Sequence, residues 1–531
     1  MRTYDHILRP RTAVYAAVIL WAAWRIVAVC ALPAVPDPRE ALILEDVSRI
    51  HRGMAPELFH WPGTPWTYVL AVTTYLTNSA RQANMLVVCR VVTIPFGALA
   101  LLAVHGLAAR LLRRPFVPVA LLAVAPGFAS GEANLALVDV PALAVSLLAM
   151  RIVVQTPVAT RAAYAVAALG GFTAGVAMAF KLPAAVVVPA VAWLALSGLR
   201  GTRPRAMALM AVGAGVAAGF VAGCPYVVRD ALTPGLGRVF AGLGYELEHY
   251  RSGHFGIFAT AAAPARAYVT THGAAAIWCL GIALAVVATP LTIASACAAN
   301  RRRTPWLWAW AATCLTSILL HRFSFPRHWL MVCPPVCILA AVGFEATRGK
   351  WRLIAQAALI VAVAQGAAMC VALSSRESGP STIATSAAWL RSATAEHDAR
   401  ATFGATEPRL TWVYPRLLDD SRAGLGSPEF AVVARIEADV QLAAFLHPDS
   451  FQEDDFFPLS RDDFLDGAAH LALRDERTHV PVAHFNGRDP AWARYSAFLG
   501  LRPPFPLNAL LHPELTIYAP AGVAKRMASD D

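Results

Sequence analysis

TAVYAAVILWAAWRIVAVCALPAV (Thr12–Val35) runs without a break into PDPREALILEDVSRIHRG (Pro36–Gly53). The first stretch has the length needed to cross a bilayer, about 20 apolar residues. The second is acidic and sets Asp37, Glu40, Glu45 and Asp46 directly outside that span. Carboxylates in this place suit chemistry at a membrane surface, and a general base is their first candidate role. The apolar run is too long for the core of a cleavable signal peptide, and no small-residue cleavage site precedes the acids. The expectation is a retained membrane helix.

Apolar runs recur downstream. The 531 residues are 57% hydrophobic and 15% charged, against about 25% charged in a soluble domain, so the chain reads as an integral membrane protein. Eleven spans are predicted, at 12–34, 85–109, 115–131, 135–154, 161–180, 183–199, 205–223, 273–298, 305–320, 329–346 and 352–374. Trp66–Leu76 is apolar but short. If it crossed, every later basic cluster would face outward, so it reads as an interfacial or re-entrant helix.

The net charge of +11 is concentrated in short loops: Arg2/Arg9/Arg11, Arg110/Arg113/Arg114, Arg200/Arg203/Arg205, Arg301/Arg302/Arg303 and Arg348/Lys350/Arg352. This is the positive-inside pattern, not a nucleic-acid groove with interleaved aromatics. It predicts a multi-pass protein of the cytoplasmic (inner) membrane with its N-terminus in the cytoplasm. Loops 35–84, 131–134, 224–272 and 321–328 then face out, with everything after about Ser375. All nine cysteines lie between Cys30 and Cys370, in or beside apolar spans, and no CxxC pair occurs. They read as small packing residues, and neither a disulfide scaffold nor a zinc site is implied.

The tail 375–531 is rich in Asp, Glu, His and Arg, with short apolar runs (AVVARI, HLALR, LTIYAP) and a helical STIATSAAWLRSAT (Ser381–Thr394). It is long enough for a small α/β domain. The expected architecture is a helical polytopic domain over 1–374 and an extracytoplasmic domain over 375–531. The carboxylates of FQEDDFFPLSRDDFLD (Phe451–Asp466) lack calcium-loop spacing and read as a solvated loop.

Ionisable groups at bilayer depth are functional candidates by default. Asp37 and Glu40 are the candidate bases; the plainer reading is a solvated loop acid. Asp139, in LALVDVPAL, sits where Pro141 marks a helix start. It is either a dipole-favoured terminal acid or a second acid that binds substrate. Lys181, in GVAMAFKLPA, is one of three lysines; it either snorkels or meets a lipid phosphate as a point charge. Arg251 and His254 in the loop Gly223–Gly256, and Arg327 and His328 in HRFSFPRHWL (His321–Leu330), are further candidates for a phosphate and a sugar. Arg25, inside the first span, needs a partner that sequence does not name.

Taken together these segments resemble the GT-C polytopic membrane glycosyltransferases of the protein O-mannosyltransferase and lipid A aminoarabinose transferase type. PDPREALILEDVSRIHRG resembles the first-loop acidic motif and its amphipathic helix ending in glycine. PELFHWPGTPWTYVLA (Pro56–Ala71), LALVDVPAL, GVAMAFKLPA, FPRHWLMVCPPVCILAAVGF and GHFG resemble later family segments in the same order, over residues 10–350. The resemblance implies two interfacial helices in the first outer loop. It also implies transfer of a sugar from a polyprenyl-phosphate donor to an extracytoplasmic acceptor; inversion is the expected course, and because phosphate is already a good leaving group no cofactor or metal is expected. The family's adjacent Asp-Glu pair is broken here into Asp37-Pro38-Arg39-Glu40. Asp37 is preferred as base because it follows a proline, and Glu40 stays open. Two rivals remain: a transporter or flippase of a lipid-linked solute, and a non-catalytic envelope assembly protein with the same fold. A transporter is expected to show inverted repeats with matching broken spans, and no such symmetry is visible.

Overall fold

The computed structural model describes residues 2–32, 38–54, 64–79, 82–154, 161–197, 199–225, 264–296, 304–320, 326–377, 382–396, 403–405, 430–434, 479–485, 515–522 and 524–525. The chain divides into two compact units. One comprises Met1–Leu32, Leu42–Leu247 and Thr271–Arg376; the other comprises Pro33–Ala41, Glu248–Thr270 and Glu377–Asp531.

The first unit is helical. Its early elements are α1 (Arg2–Ala31), α2 (Pro38–His51, whose first residues fall in the second unit), α3 (Thr64–Leu76), α4 (Gln82–Ala108), α5 (Phe116–Ala123), α6 (Pro126–Ala129), α7 (Asp139–Val154), α8 (Arg161–Phe180), α9 (Val188–Leu196) and α10 (Thr202–Gly223). Helices Pro264–Leu280, Ile282–Ala296, Pro305–Leu319, Cys333–Ala346 and Gly349–Glu377 follow. Among the described residues five helices are long and apolar enough to cross a membrane, or six if the bent pair Tyr268–Leu280 and Ile282–Ala296 is one span. This is a multi-pass membrane protein.

The other predicted spans also contain helix, but in shorter pieces, and prolines explain the pieces. Pro115 and Pro118 flank or enter the eight-residue α5, and Pro126 restarts the chain as α6. Pro183 and Pro189 divide the sixth predicted span into a 3-10 stretch, Leu182–Val187, and the short α9. Each of these prolines removes a backbone donor and clashes with the preceding turn, which favours a fresh helix start at that point, although Pro95 and Pro290 are accommodated inside helices. The pair near Gly281 is bent by 93°. Gly281 has φ +79°, a conformation open to glycine at little cost. The N–H of Ala283 beyond the bend finds the Gln365 side-chain oxygen at 3.4 Å, which answers the need to satisfy freed backbone groups in an apolar setting.

Between α1 and α4, α2 and α3 are helices of 14 and 13 residues, about 20 Å long at ~1.5 Å per residue and too short for a span. Gly53 closes α2 with φ +75°. Its N–H bonds to Ile50 O, and Met54 N–H bonds to Arg49 O, both at 2.9 Å, the paired bonds of a left-handed helix stop. His51 ties α2 to α3 through Ala71 O at 3.0 Å and Thr74 at 3.1 Å.

The core of this unit is formed by α4, α7 and helix Cys333–Ala346, whose inward faces are almost fully buried. Between α8 and α10 the backbones touch: a Cβ on Gly175 would strike Val216, and one on Gly219 would strike Phe172. Small residues let apolar helices approach closely without a hydrophobic drive between them. At the basic loop, the Glu345 carboxylate accepts the N–H groups of Arg113 (3.1 Å) and Arg114 (2.8 Å) just before α5.

In the second unit, helix Thr382–Glu396 packs on β3 (His479–Phe485) and β4 (Leu515–Pro520). With β1 (Phe403–Ala405) and β2 (Phe430–Ala434) these form a sheet of order β1-β2-β4-β3. The β1–β2 pair is parallel and the other two pairs antiparallel. Leu515, Ile517 and Ala519 are buried, the every-second-residue pattern of a strand with one inner face. The predicted runs AVVARI and LTIYAP overlap β2 and β4; HLALR lies outside the described residues.

Candidate functional site

The first unit brings together two residues that lie 42 positions apart. Lys181 follows the last residue of α8, and its N–H still bonds to Ala177 O at 3.0 Å. Lys181 itself is extended, at φ −156° and ψ 120°, and caps the 3-10 turn Leu182–Val187; Pro183 in that first turn lacks the N–H that a continued α8 would need. Asp139 opens α7, where the helix dipole favours a carboxylate, and Pro141 sits in the first turn, where no donor is lost. Lys181 Nζ donates to Asp139 Oδ1 at 2.5 Å, with the two side chains 7% and 12% exposed. Asp139 Oδ2 is buried and has no hydrogen-bond partner among the described residues. An ammonium has three donors and a carboxylate several lone pairs. The pair therefore retains donors beside an unused acceptor, the complement of a ligand with anionic oxygens and hydroxyls.

An aromatic group stands beside the pair in the chain. Phe180, next to Lys181, has its ring centroid 6.5 Å from Trp66 and 6.2 Å from Phe96. Trp66 is fully buried, meets Phe96 edge-on at 5.6 Å and donates its indole N–H to Ala136 O at 2.8 Å. Thus α3 holds the segment that leads into Asp139. The 3-10 turn Pro326–Met331, which carries the partly buried Arg327 and His328, packs against α6 and α7.

Of the remaining candidates, Glu40 is fully buried on the first turn of α2 and belongs to the second unit. Asp46 is buried, while Glu45 pairs with Arg52 at 2.9 Å at the surface. Asp37, Arg251 and His254 lie outside the described residues. Among the described residues no three His, Cys, Asp or Glu side chains gather as a metal site.

Two residues escaped the sequence reading. Arg90 is buried in the predicted span that became α4; an arginine within an apolar run was a usable signal. Asn134 is fully buried at the end of the turn Gly131–Asn134, and neither amide atom has a hydrogen-bond partner among the described residues. A polar amide left so costs roughly 1–3 kcal/mol, and no pattern in the sequence marks it.

This arrangement, an acid at the start of one helix and a lysine at the end of the next, lies in a fold found in solved structures. An oligosaccharyltransferase from Archaeoglobus fulgidus, in complex with zinc and sulfate, superposes with TM-score 0.53 over 95% of this chain and 88% of its own, at 11% identity. ArnT from Cupriavidus metallidurans, bound to undecaprenyl phosphate, gives TM-score 0.52 over 95% and 98%, at 16% identity. AglB from Archaeoglobus fulgidus, with an inhibitory peptide and dolichol-phosphate, gives 0.55 over 96% and 88%, at 10% identity. The chain has the GT-C glycosyltransferase fold. No protein-family model matches the sequence, and no curated protein matches it significantly. At these identities the likeness is one of GT-C architecture, which hosts the pair without defining its chemistry.

Proposed function

We propose that this protein is a membrane glycosyltransferase that moves a sugar from a polyprenyl-phosphate donor to an extracytoplasmic acceptor, with inversion. The observation that carries the reading is the partly buried Asp139–Lys181 pair with its unused acceptor. Support also comes from the GT-C fold, and from neighbours solved with undecaprenyl phosphate and dolichol-phosphate.

In this reading Asp37 or Glu40 takes the proton of the acceptor hydroxyl. The freed oxygen attacks the anomeric carbon opposite the phosphate, and the carbon–phosphate oxygen bond breaks. Lys181 and Arg327, with Arg251, His254 or His328, neutralise the departing polyprenyl phosphate, whose charge grows as the bond opens. Asp139 orients hydroxyls through Oδ2. The proposed topology keeps eleven membrane segments over 1–374, the N-terminus in the cytoplasm, and 375–531 as an outer domain that shapes acceptor access.

The test is transfer from radiolabelled polyprenyl-phosphate sugars in native membranes, comparing wild type with Asp37→Asn, Glu40→Gln and Asp139→Asn at matched expression. Loss of transfer in one first-loop variant alone identifies the base. Transfer that survives both first-loop substitutions overturns the catalytic assignment. Wild type inactive with every donor, yet required for envelope integrity, favours the non-catalytic assembly reading.

A further inference from the structure

Arg25 lies within the first membrane helix and is fully buried. A guanidinium at this depth is costly and persists where fixed partners compensate it. Its Nη1 donates to Phe128 O at 3.1 Å, and its Nη2 donates to Ala133 O. Its carbon lies 5.3 Å from the Trp21 ring centroid, and Trp21 in turn stacks on Phe128 at 5.2 Å and 22°. The planar fork thus grips two carbonyls five residues apart, one in α6 and one in the turn Gly131–Asn134. The stretch it holds is the lead into Asn134 and Asp139. The Trp66 bond to Ala136 O fastens the same stretch three residues further on.

We propose that Arg25 is a positioning residue: by clamping the Phe128 and Ala133 carbonyls it fixes the segment that presents Asn134 and Asp139 to the substrate. This rests on the reading of the Asp139–Lys181 pair as a substrate site. The guanidinium fork suits the task because its donors diverge in one rigid plane, whereas a lysine ammonium is a compact point donor on a flexible stem. Two carbonyls held at fixed separation therefore demand arginine, while packing alone would accept any residue of similar length.

The experiment is hydrogen–deuterium exchange on the full chain in lipid nanodiscs for wild type, Arg25→Met and Arg25→Lys. Loss of two charge-assisted bonds in Arg25→Met is expected to speed exchange of residues 129–138 roughly tenfold or more, with α8 and α10 unchanged. Arg25→Lys, keeping one bond, is expected to speed it by roughly threefold. Equal exchange in Arg25→Met and wild type overturns the clamp, as does an Arg25→Met profile matched by Arg25→Lys. If Arg25→Met does not fold, Arg25→Lys is compared with wild type alone, and unchanged exchange overturns the proposal. In transfer assays the clamp predicts that Arg25→Lys lowers kcat roughly tenfold while KM for the lipid donor stays within about twofold. A raised KM with unchanged kcat overturns positioning. Should wild type transfer from no donor, the functional reading fails while the exchange measurement still decides the clamp.

Discussion

Lys181 Nζ sits 2.5 Å from Asp139 Oδ1, with Lys181 buried and Asp139 partly buried, and joins the end of α8 to the start of α7. Removing one partner strands a charge in a poorly solvated place, at a cost of about 3–5 kcal/mol, whereas removing both charges together is often nearly neutral. Thermal unfolding in nanodiscs is therefore expected to show Lys181→Met strongly destabilised and the double variant Asp139→Asn/Lys181→Met close to wild type. Additive losses across this double-mutant cycle would show that the two residues do not act as a pair.

The α8–α10 contact depends on missing side chains. Gly175→Leu is expected to push the helices apart and to abolish stable expression, because the new side chain meets backbone rather than a flexible chain end. Gly213 lies in α10 with nothing near its would-be Cβ, so Gly213→Ala is expected to raise stability by up to about 1 kcal/mol. Expression level and melting temperature check both, and a melting temperature lowered by Gly213→Ala contradicts this account of α10.

At the bent pair, Gly281→Ala is expected to cost about 1–2 kcal/mol, since a residue with a Cβ is strained at φ +79°. Gln365→Leu is expected to cost about 1 kcal/mol by leaving the Ala283 N–H without its acceptor. Faster amide exchange confined to residues 281–285 in Gln365→Leu checks the second effect. Unchanged exchange there means that the N–H is satisfied another way.

Orientation is open to a labelling test. Arg113 and Ala388 are both exposed, one in a basic loop and one in the helix after residue 377. With a membrane-impermeant maleimide on intact cells, Ala388→Cys is expected to react at once and Arg113→Cys only after permeabilisation. The reverse pattern inverts the proposed topology and puts the Asp139 end of the bundle on the wrong side for an outer acceptor.

Much of the helical framework was readable because apolar length and arginine placement act locally along the chain. Thr12–Ala31, Asn84–Ala108, Ala162–Phe180, Thr202–Gly223 and Gly349–Ser375 fall where hydropathy places them. Asp139 and Lys181 stood out for the same reason, as charges at the margins of apolar runs, though nothing in their spacing said that they meet. Arg90 was passed over because a long apolar context outweighed one charge.

By itself the sequence determined a multi-pass helical protein and which ionisable groups are costly enough to need a purpose. These follow from transfer energies, which belong to residues one at a time; the breaks at Pro126 and Pro183 fell inside stretches read as single spans. Only the tertiary structure decided that Lys181 pairs with Asp139, that Arg25 finds the carbonyls of Phe128 and Ala133, and that Asn134 is buried with its amide unsatisfied. Each is a contact between distant segments, or the absence of one, and is set by how helices pack around shared small and aromatic residues. That packing is a property of the assembled bundle and leaves no periodic mark on the chain.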